Sequence, residues 1–591
     1  MRFFICSIVL FTLFVGFDLP SSNVGTSEAV DPETPTRRRP VKMVLIGDES
    51  KLLVANRLSG SVSIVDLHQQ KVDSEWKVAN NIGSMLKLKD DYFVVSDAQA
   101  GQLVLLNLDA GQLNVVQRIE TIGSPGELFF AADQNRLFVA GRWARQVTSH
   151  RWGVEAKQIG AQLQDAIDLS FAVGQLTSID SGKHLLATDA FGSQWSVLDA
   201  GSLQVVRQGD LGTRRLCGVA NYSNSSSEVQ QLVVASQPVN RLAQAIRNDV
   251  HWGLMVGNEL IIKDENWFLD EQWKESRRSK IPLGGAGEAK GDPESISFSS
   301  QGDVAIAIGG LNEVAVGSIS ERSFAYVPTG HRPVDSLFSS DGNTLYVANQ
   351  LGDSVSVVDV RDAELLKTIE LGKMPPLTDR DHGERMFFDA TVSHDSWMSC
   401  HSCHVEGHTS GFLNDNFSDQ SFGAPKRILS LLGHGDTAPF AWNASAKTLE
   451  QQVKSSIEIT MQTDDDFTEQ QIQNLATYVR SLQPPPSLAE SRNRQVDTEP
   501  GRMLFQELGC QKCHAAPSYT SPDLQNVGLL DELGKGEFNP PSLIGVSQRQ
   551  RFLHDARHES LRAVFEEERH QLNRELTEGE LEKLLAFLQS L

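Results

Sequence analysis

Two short stretches of this chain bring together residue types that can do chemistry. They are Cys400-His401-Ser402-Cys403-His404 and, further along, Cys510-Gln511-Lys512-Cys513-His514. Both read C-x-x-C-H. Two thiols three positions apart share one helical turn, so each can add to one vinyl group of the same porphyrin. The histidine that follows places an imidazole under the iron as proximal ligand. The pattern is that of c-type haem attachment. A single copy would also suit a zinc half-site or a thioredoxin-like dithiol. Cys6 and Cys217, the remaining cysteines, supply no second pair for zinc, and neither copy sits in a βαβ pattern. The reading is two covalently bound haem c groups, with His404 and His514 as iron ligands.

The opposite side of each iron separates electron wiring from catalysis. A second strong ligand suits electron transfer, whereas an open position lets a small oxidant bind. In the first unit Met461, just before the last helix, is the distal candidate. His408 and His434 are its rivals, and His434 lies between Gly433 and Gly435. On a helical motif His401 points away from its own haem. In the second unit His570 takes the corresponding place, and His554 is expected at a haem edge or propionate.

These motifs belong to a chain of 591 residues, too long for one core and long enough for about three domains. The net charge of −23 argues against nucleic acid or an anionic membrane as partner. It favours a cationic one, such as a small basic redox protein acting as electron donor or acceptor. With four of six cysteines in the motifs, no disulfide framework is available, and Cys217 reads as a small buried residue. Met1-Arg2 followed by the apolar run Phe3 to Phe17 resembles a secretory leader. The run is shorter than the roughly 20 residues of a membrane span. Without a clean cleavage signal, residues 1–20 are either a signal peptide or an N-terminal anchor. No other segment is apolar enough to span. Export agrees with covalent haem and points to a periplasmic or otherwise extracytoplasmic protein.

Residues 21–40 are polar and proline-bearing and read as a mobile linker. From 41 to 372 the chain repeats. Leu345-Tyr346-Val347-Ala348-Asn349 followed by Ser354-Val355-Ser356-Val357-Val358-Asp359 is echoed by Leu53-Val54-Ala55-Asn56 and Ser61-Val62-Ser63-Ile64-Val65-Asp66. Seven copies of the first strand can be counted, most about 40 to 48 residues apart, the period of a β-propeller. One larger gap holds an insertion around Arg247 to Lys280, with Trp252, Trp267 and Trp273 as a candidate contact surface for the haem region. The repeat residues resemble the YVTN family, whose members are seven-bladed propellers.

Helical periodicity takes over near Lys373. Two related units follow, at 373–482 and 501–591, joined by a stiff, polar linker at 483–500. Each opens on a short amphipathic stretch (Gly383 to Phe387, Gly501 to Phe505), carries one C-x-x-C-H and closes on an apolar helix (Ile472 to Leu482, Leu581 to Leu591). The expected fold is multidomain: an all-β seven-bladed propeller followed by two all-α cytochrome c-like domains.

The helical part resembles the bacterial di-haem cytochrome c peroxidases and their relative that matures a protein-derived quinone cofactor. Cys400 to His404, Gly423 to Arg427 and Pro439-Phe440-Ala441-Trp442-Asn443 carry the resemblance in the first unit. Pro540 to Val546, Phe552 to Asp555 and Ser560 to Phe565 carry it in the second. It implies hydrogen peroxide as a substrate and suggests a calcium ion between the haems. It also implies a distal glutamine and glutamate over the reactive iron. Gln452 fits the first, and Glu458 is the nearest counterpart of the second. The histidine that switches the reactive haem has no counterpart before Arg427, and the family's electron-transfer methionine falls on Glu567. Two functions follow. One is electron transfer between two haems, with or without peroxide reduction. The other makes the propeller a binding module for a ligand or partner, with the haems as relay only.

Overall fold

The computed structural model describes residues 27–153, 156–160, 163–223, 230–273, 279–417 and 420–591. The leader lies outside them. No helix among the described residues is long and apolar enough to cross a membrane.

Among the described residues, 40–370 form seven antiparallel sheets of four or five strands, each built from consecutive strands. The innermost strands, beginning at Pro40, Ile82, Pro125, Val173, Thr213, Pro293 and Pro333, neighbour one another in turn and close a ring. The repeat has a side-chain cause. In the first blade the buried Asn56 amide donates to Ser61 Oγ (3.1 Å) and Ser63 Oγ (2.9 Å) on the paired strand. In the last blade Asn349 does the same with Ser354 (3.1 Å) and Ser356 (2.9 Å). A buried amide must be hydrogen-bonded, so the asparagine and the S-x-S that answers it recur together.

Residues 27–40 are not a free linker. Glu28–Val30 adds an edge strand to the first blade by pairing with Lys71–Lys77. The Arg38 guanidinium is fully buried and paired with Glu75 at 2.8 Å. The Arg38 and Arg39 amides donate to the Asp353 carboxylate of the last blade, both at 2.8 Å. The Thr36 amide donates to the Lys373 carbonyl (3.0 Å) and the Lys373 amide to the Pro32 carbonyl (2.8 Å). The chain thus enters and leaves the propeller as one hydrogen-bonded seam. Local composition could not show this, because the partners lie from 37 residues away (Glu75) to more than 300 (Asp353 and Lys373).

The insertion also differs from its sequence reading. Glu259–Asp264 and Ser279–Pro282 are the third and fourth strands of the fifth blade, so the extra residues form two loops rather than one block. The first loop contains the short helix Arg247–His251 and reaches the haem region. The tryptophans do not form the contact: Trp252 is 60% exposed, and Trp267 packs on Trp195 and Phe268 within the propeller.

In the helical region, Asp379–Phe387 crosses Glu469–Ser481, and Glu499–Glu507 crosses Glu578–Leu588. Thr468 and Thr577 cap the second helix of each pair through capping boxes. A glycine sits at each crossing. A Cβ on Gly383 would lie 2.0 Å from the Asn474 carbonyl oxygen, and one on Gly501 2.0 Å from that of Lys583. The linker at 483–500 is docked as well. The Gly123 amide donates to the Ser491 carbonyl (3.0 Å), and Arg492 reaches the Ala144 carbonyl (2.8 Å) and Asp168 (2.9 Å).

Alanine in a helix gains up to about 1 kcal/mol over glycine, but overpacking against backbone costs about 1–3 kcal/mol or more. Gly383→Ala and Gly501→Ala are therefore expected to lower the denaturation midpoint. Gly579→Ala, with nothing within 4 Å of its Cβ, should leave it unchanged or raise it. Chemical denaturation monitored by far-UV circular dichroism checks both.

Candidate haem sites and their docking on the propeller

Cys400–Cys403 forms one helical turn, opened by Ser399 and Ser402 as a reciprocal capping box. Both variable residues of this motif turn toward the propeller. The hydroxyls of Ser399 and Ser402 donate to Asp292 Oδ2 (2.5 Å) and Oδ1 (2.6 Å), and the Gln237 amide adds a third donor to Oδ1 (3.0 Å). His401 stacks on Phe388 and lies 3.2 Å from Glu294. As expected, it faces away from its own motif's cavity. Val405 and Glu406, the next residues, enter an axial cavity lined by the innermost strand of every blade. There Glu406 meets Arg332 and Arg57, and the carboxylate is held well below its usual range. Burial opposes this, but the surrounding Arg332, His401, Arg57 and Arg142 outweigh it.

A second cavity has Cys400, Cys403 and His404 in its wall together with Gln452, Met461, Arg427 and Arg549. Burial pushes the His404 imidazole down to about 4, leaving it neutral and able to ligate a metal. Burial pushes the Cys400 thiol up to about 12. That is unlike a redox dithiol, whose attacking sulfur is lowered. Met461 ends a π-helical turn, Ser456–Thr460, and is 4% exposed. Such turns are frequent at functional sites.

The rival distal histidines are both engaged. His408 accepts from Ser430 Oγ (3.0 Å) at Nδ1 and donates to the Gln548 carbonyl (3.1 Å) from Nε2, packed edge-on against Trp143 and Phe191. His434 donates from Nδ1 to the Leu432 carbonyl (2.5 Å), and its Nε2 faces Arg549 at 3.3 Å. Gln452 lines the cavity, its amide 3.2 Å from Ser456 Oγ. Glu458 does not line it. Its exposed carboxylate sits 3.7 Å from Lys454, one helical turn back. The structure therefore does not join Glu458 to Gln452 as an acid–base pair.

Sequence reasoning gave Arg427, which entered only as part of the Gly423 to Arg427 stretch, no role of its own, and it missed Arg549. Burial lowers them to about 9 and about 10 respectively, and neither has a carboxylate partner within 4.0 Å among the described residues. Arg427 donates to the Leu553 carbonyl (2.9 Å), and Arg549 to the carbonyls of Ser542 (2.5 Å) and Ile544 (3.2 Å). Buried cations need a counter-charge, and the carboxylates of a haem propionate pair would supply one. Trp442, in the same wall, donates to the Arg427 carbonyl (2.8 Å). His554 is also close to this group, stacked on Phe538 at 4.2 Å and edge-on to Trp442.

The second motif is built differently. Gln511 and Lys512, its variable residues, are exposed. Burial pushes the Cys510 thiol up to about 11. Burial also lowers His514 to about 4, and its Nδ1 donates to the Tyr519 carbonyl (3.1 Å), leaving Nε2 for a metal. His570 is near enough to lower His514 further, and its own Nδ1 is buried without a hydrogen-bond partner among the described residues. Glu567 instead points outward, 3.6 Å from His558. Both sets of residues fit a covalently attached haem.

Residues 380–487 match the model of the di-haem cytochrome c peroxidase family, a span that includes the first motif and ends before the second. Cytochrome c551 peroxidase of Nitrosomonas europaea is 25% identical over 311 residues, covering 43% of this chain and 87% of that protein. Methylamine utilization protein MauG of Methylorubrum extorquens is 25% identical over 272 residues, covering 35% of this chain and 76% of that protein. Among solved structures, hydrazine synthase of Kuenenia stuttgartiensis aligns with 17% identity and a TM-score of 0.46, over 55% of this chain and 97% of that one.

Asp292→Ala strands three buried donors at about 1–3 kcal/mol each, so it should loosen the first motif and expose 393–408 to limited proteolysis. Glu294 gives the pH dependence. Burial raises this carboxyl, yet Arg215, His401 and Arg332 bring it down to about 2. The unfolded chain then binds more protons between about pH 5 and pH 2, so this contribution is complete above that window and is lost as pH falls through it. Glu294→Gln should be less stable at pH 7 and show a shallower acid slope in denaturation midpoints. Behind a seven-bladed β-propeller, this chain thus carries at 380–487 a segment that matches the di-haem cytochrome c peroxidase family model.

Proposed function

We propose that this protein is an exported di-haem c-type cytochrome that passes electrons between a surface haem at Cys510–His514 and an internal haem at Cys400–His404. The asymmetry of the two motifs carries this reading. One presents its variable residues to solvent, and the other buries both in the propeller. When bound, the haems would supply one-electron chemistry.

The chain's own groups divide the remaining work. The cysteine thiols would anchor the haems, and His404 and His514, with Met461 and His570 as second ligands, would hold the irons. Arg427 and Arg549 neutralise the propionates. The face around Gln511 and Lys512 receives a small redox protein, and the net charge of −23 steers a cationic one toward the molecule. The two cytochrome c-like units at 373–482 and 501–591 each carry one motif, and residues of both, Arg427 and Arg549 among them, line the cavity of the first. Peroxide reduction is the second reading, favoured by Gln452 in the cavity wall and by the relatives' names. In that case Met461 would yield its place over the iron.

Low-temperature EPR of the oxidised and half-reduced protein separates the two. Electron transfer predicts two low-spin ferric signals in the oxidised protein. Met461→Ala and His570→Ala should each convert one of them to high spin. A high-spin signal in the wild type would remove Met461 or His570 as ligand and favour the peroxidase reading. Cys400→Ala and Cys510→Ala should each lose one haem equivalent by pyridine haemochrome assay, and retention of both would end the haem assignment.

A further inference from the structure

At the seam between the fifth blade and the haem region, imidazoles and carboxylates from distant segments converge. His251 ends the short helix of the first inserted loop, His394 and Asp395 lie on the segment leading into the first motif, and Asp464 follows Met461. His251 Nδ1 is 2.6 Å from Asp395 Oδ2, and His394 Nε2 is 3.3 Å from the same oxygen. One ligand atom from each of the three residues lies within 4.8 Å of the others. The far nitrogen of His394, Nδ1, is 2.6 Å from Asp464 Oδ2.

This exceeds what an interface hydrogen bond needs. Asp395 Oδ2 faces two imidazole nitrogens and also accepts from the Gly287 amide at 3.1 Å. Asp395 and Ser396 are consecutive non-glycine residues at φ 55° and 63°, a conformation that costs of order 1 kcal/mol or more per residue and aims the carboxylate inward. A histidine with one nitrogen directed at a convergent point and the other held by a carboxylate is the arrangement that orients metal-ligating imidazoles. Two imidazole nitrogens with one carboxylate oxygen suit zinc-class divalent ions, and calcium or magnesium poorly. His394 is 8% exposed, whereas the His251 side chain is 39% exposed. The site is therefore anchored on its inner side and open to water on its outer side.

We propose that His251, His394 and Asp395 bind one divalent transition-metal ion of the zinc class, with Asp464 orienting His394. This clamp ties the propeller's inserted helix to the entry of the first haem motif. The same seam already carries Trp397 Nε1 donating to the His251 carbonyl (3.1 Å) and the Asn258 amide donating to the Trp397 carbonyl (3.0 Å).

The test uses the full-length, haem-loaded protein, stripped with a chelator and dialysed against Zn²⁺. Metal is counted by plasma mass spectrometry beside haem iron. The expected result is one zinc per chain, with two imidazoles in its shell by zinc-edge X-ray absorption. His251→Ala should weaken binding at least 10-fold, and Asp464→Asn should weaken it 10- to 100-fold. His251 is half exposed, so its variant should keep both haems even if a His394 variant misfolds. Zinc below 0.2 per chain in the wild type, or His251→Ala binding zinc as tightly as the wild type, would overturn the site. The cluster would then be an interface hydrogen-bond network only.

Discussion

Two carboxylates on the propeller, the buried Asp292 and the part-buried Glu294, set the terms for the rest of this molecule. A buried charge without partners is too costly to keep, and each is answered by the haem region. Asp292 takes the hydroxyls of Ser399 and Ser402, and Glu294 is paired with His401 alongside Arg215. The two positions that attachment chemistry leaves free within C-x-x-C-H are therefore spent on the propeller. Glu406 extends the same logic one turn later by supplying a carboxylate to the arginines of the axial cavity. The first haem motif is thus half of an interface, and its geometry is completed by strands more than a hundred residues upstream.

What was legible in the sequence follows from how local each cause is. The C-x-x-C-H motifs need only adjacent residues. The blade repeat is visible because Asn56 bonds to Ser61 and Ser63 across one hairpin, and Asn349 to Ser354 and Ser356 in the same way. The paired helices are visible through their caps and apolar faces. Features with distant causes were not. Arg38 looks like part of a basic linker until Glu75 and the seam to Lys373 are known. His408 looks like a free ligand until Ser430 and the Gln548 carbonyl occupy both of its nitrogens. Glu458 has the right type near the right place, but the π-helical turn that brings Met461 into the cavity leaves Glu458 in solvent beside Lys454. Arg427 and Arg549 carried a weak signal, since arginine beside proline- and glycine-rich loops is unremarkable until its burial is seen.

The two motifs began from the same local plan and have different surroundings. Gly383 and Gly501 occupy the same position in their helix pairs, each beneath a carbonyl of the facing helix and against an aromatic Cβ, Tyr478 in one case and Phe587 in the other. That agreement makes the differences at the motifs informative. His401 and Ser402 are fully buried, whereas Gln511 and Lys512 are exposed. A large binding partner can approach only the second motif along this face, because the propeller fills the corresponding space at the first. A small molecule can still reach the first motif's cavity, where Gln452 and Met461 share the wall with His404. The propeller therefore acts on function by exclusion. It covers the variable residues of one motif, His401 and Ser402, and leaves those of the other in solvent. On the proposed reading, Met461, which follows the π-helical turn Ser456–Thr460 and shares the cavity wall with His404, is the side chain that would decide between relay and reaction.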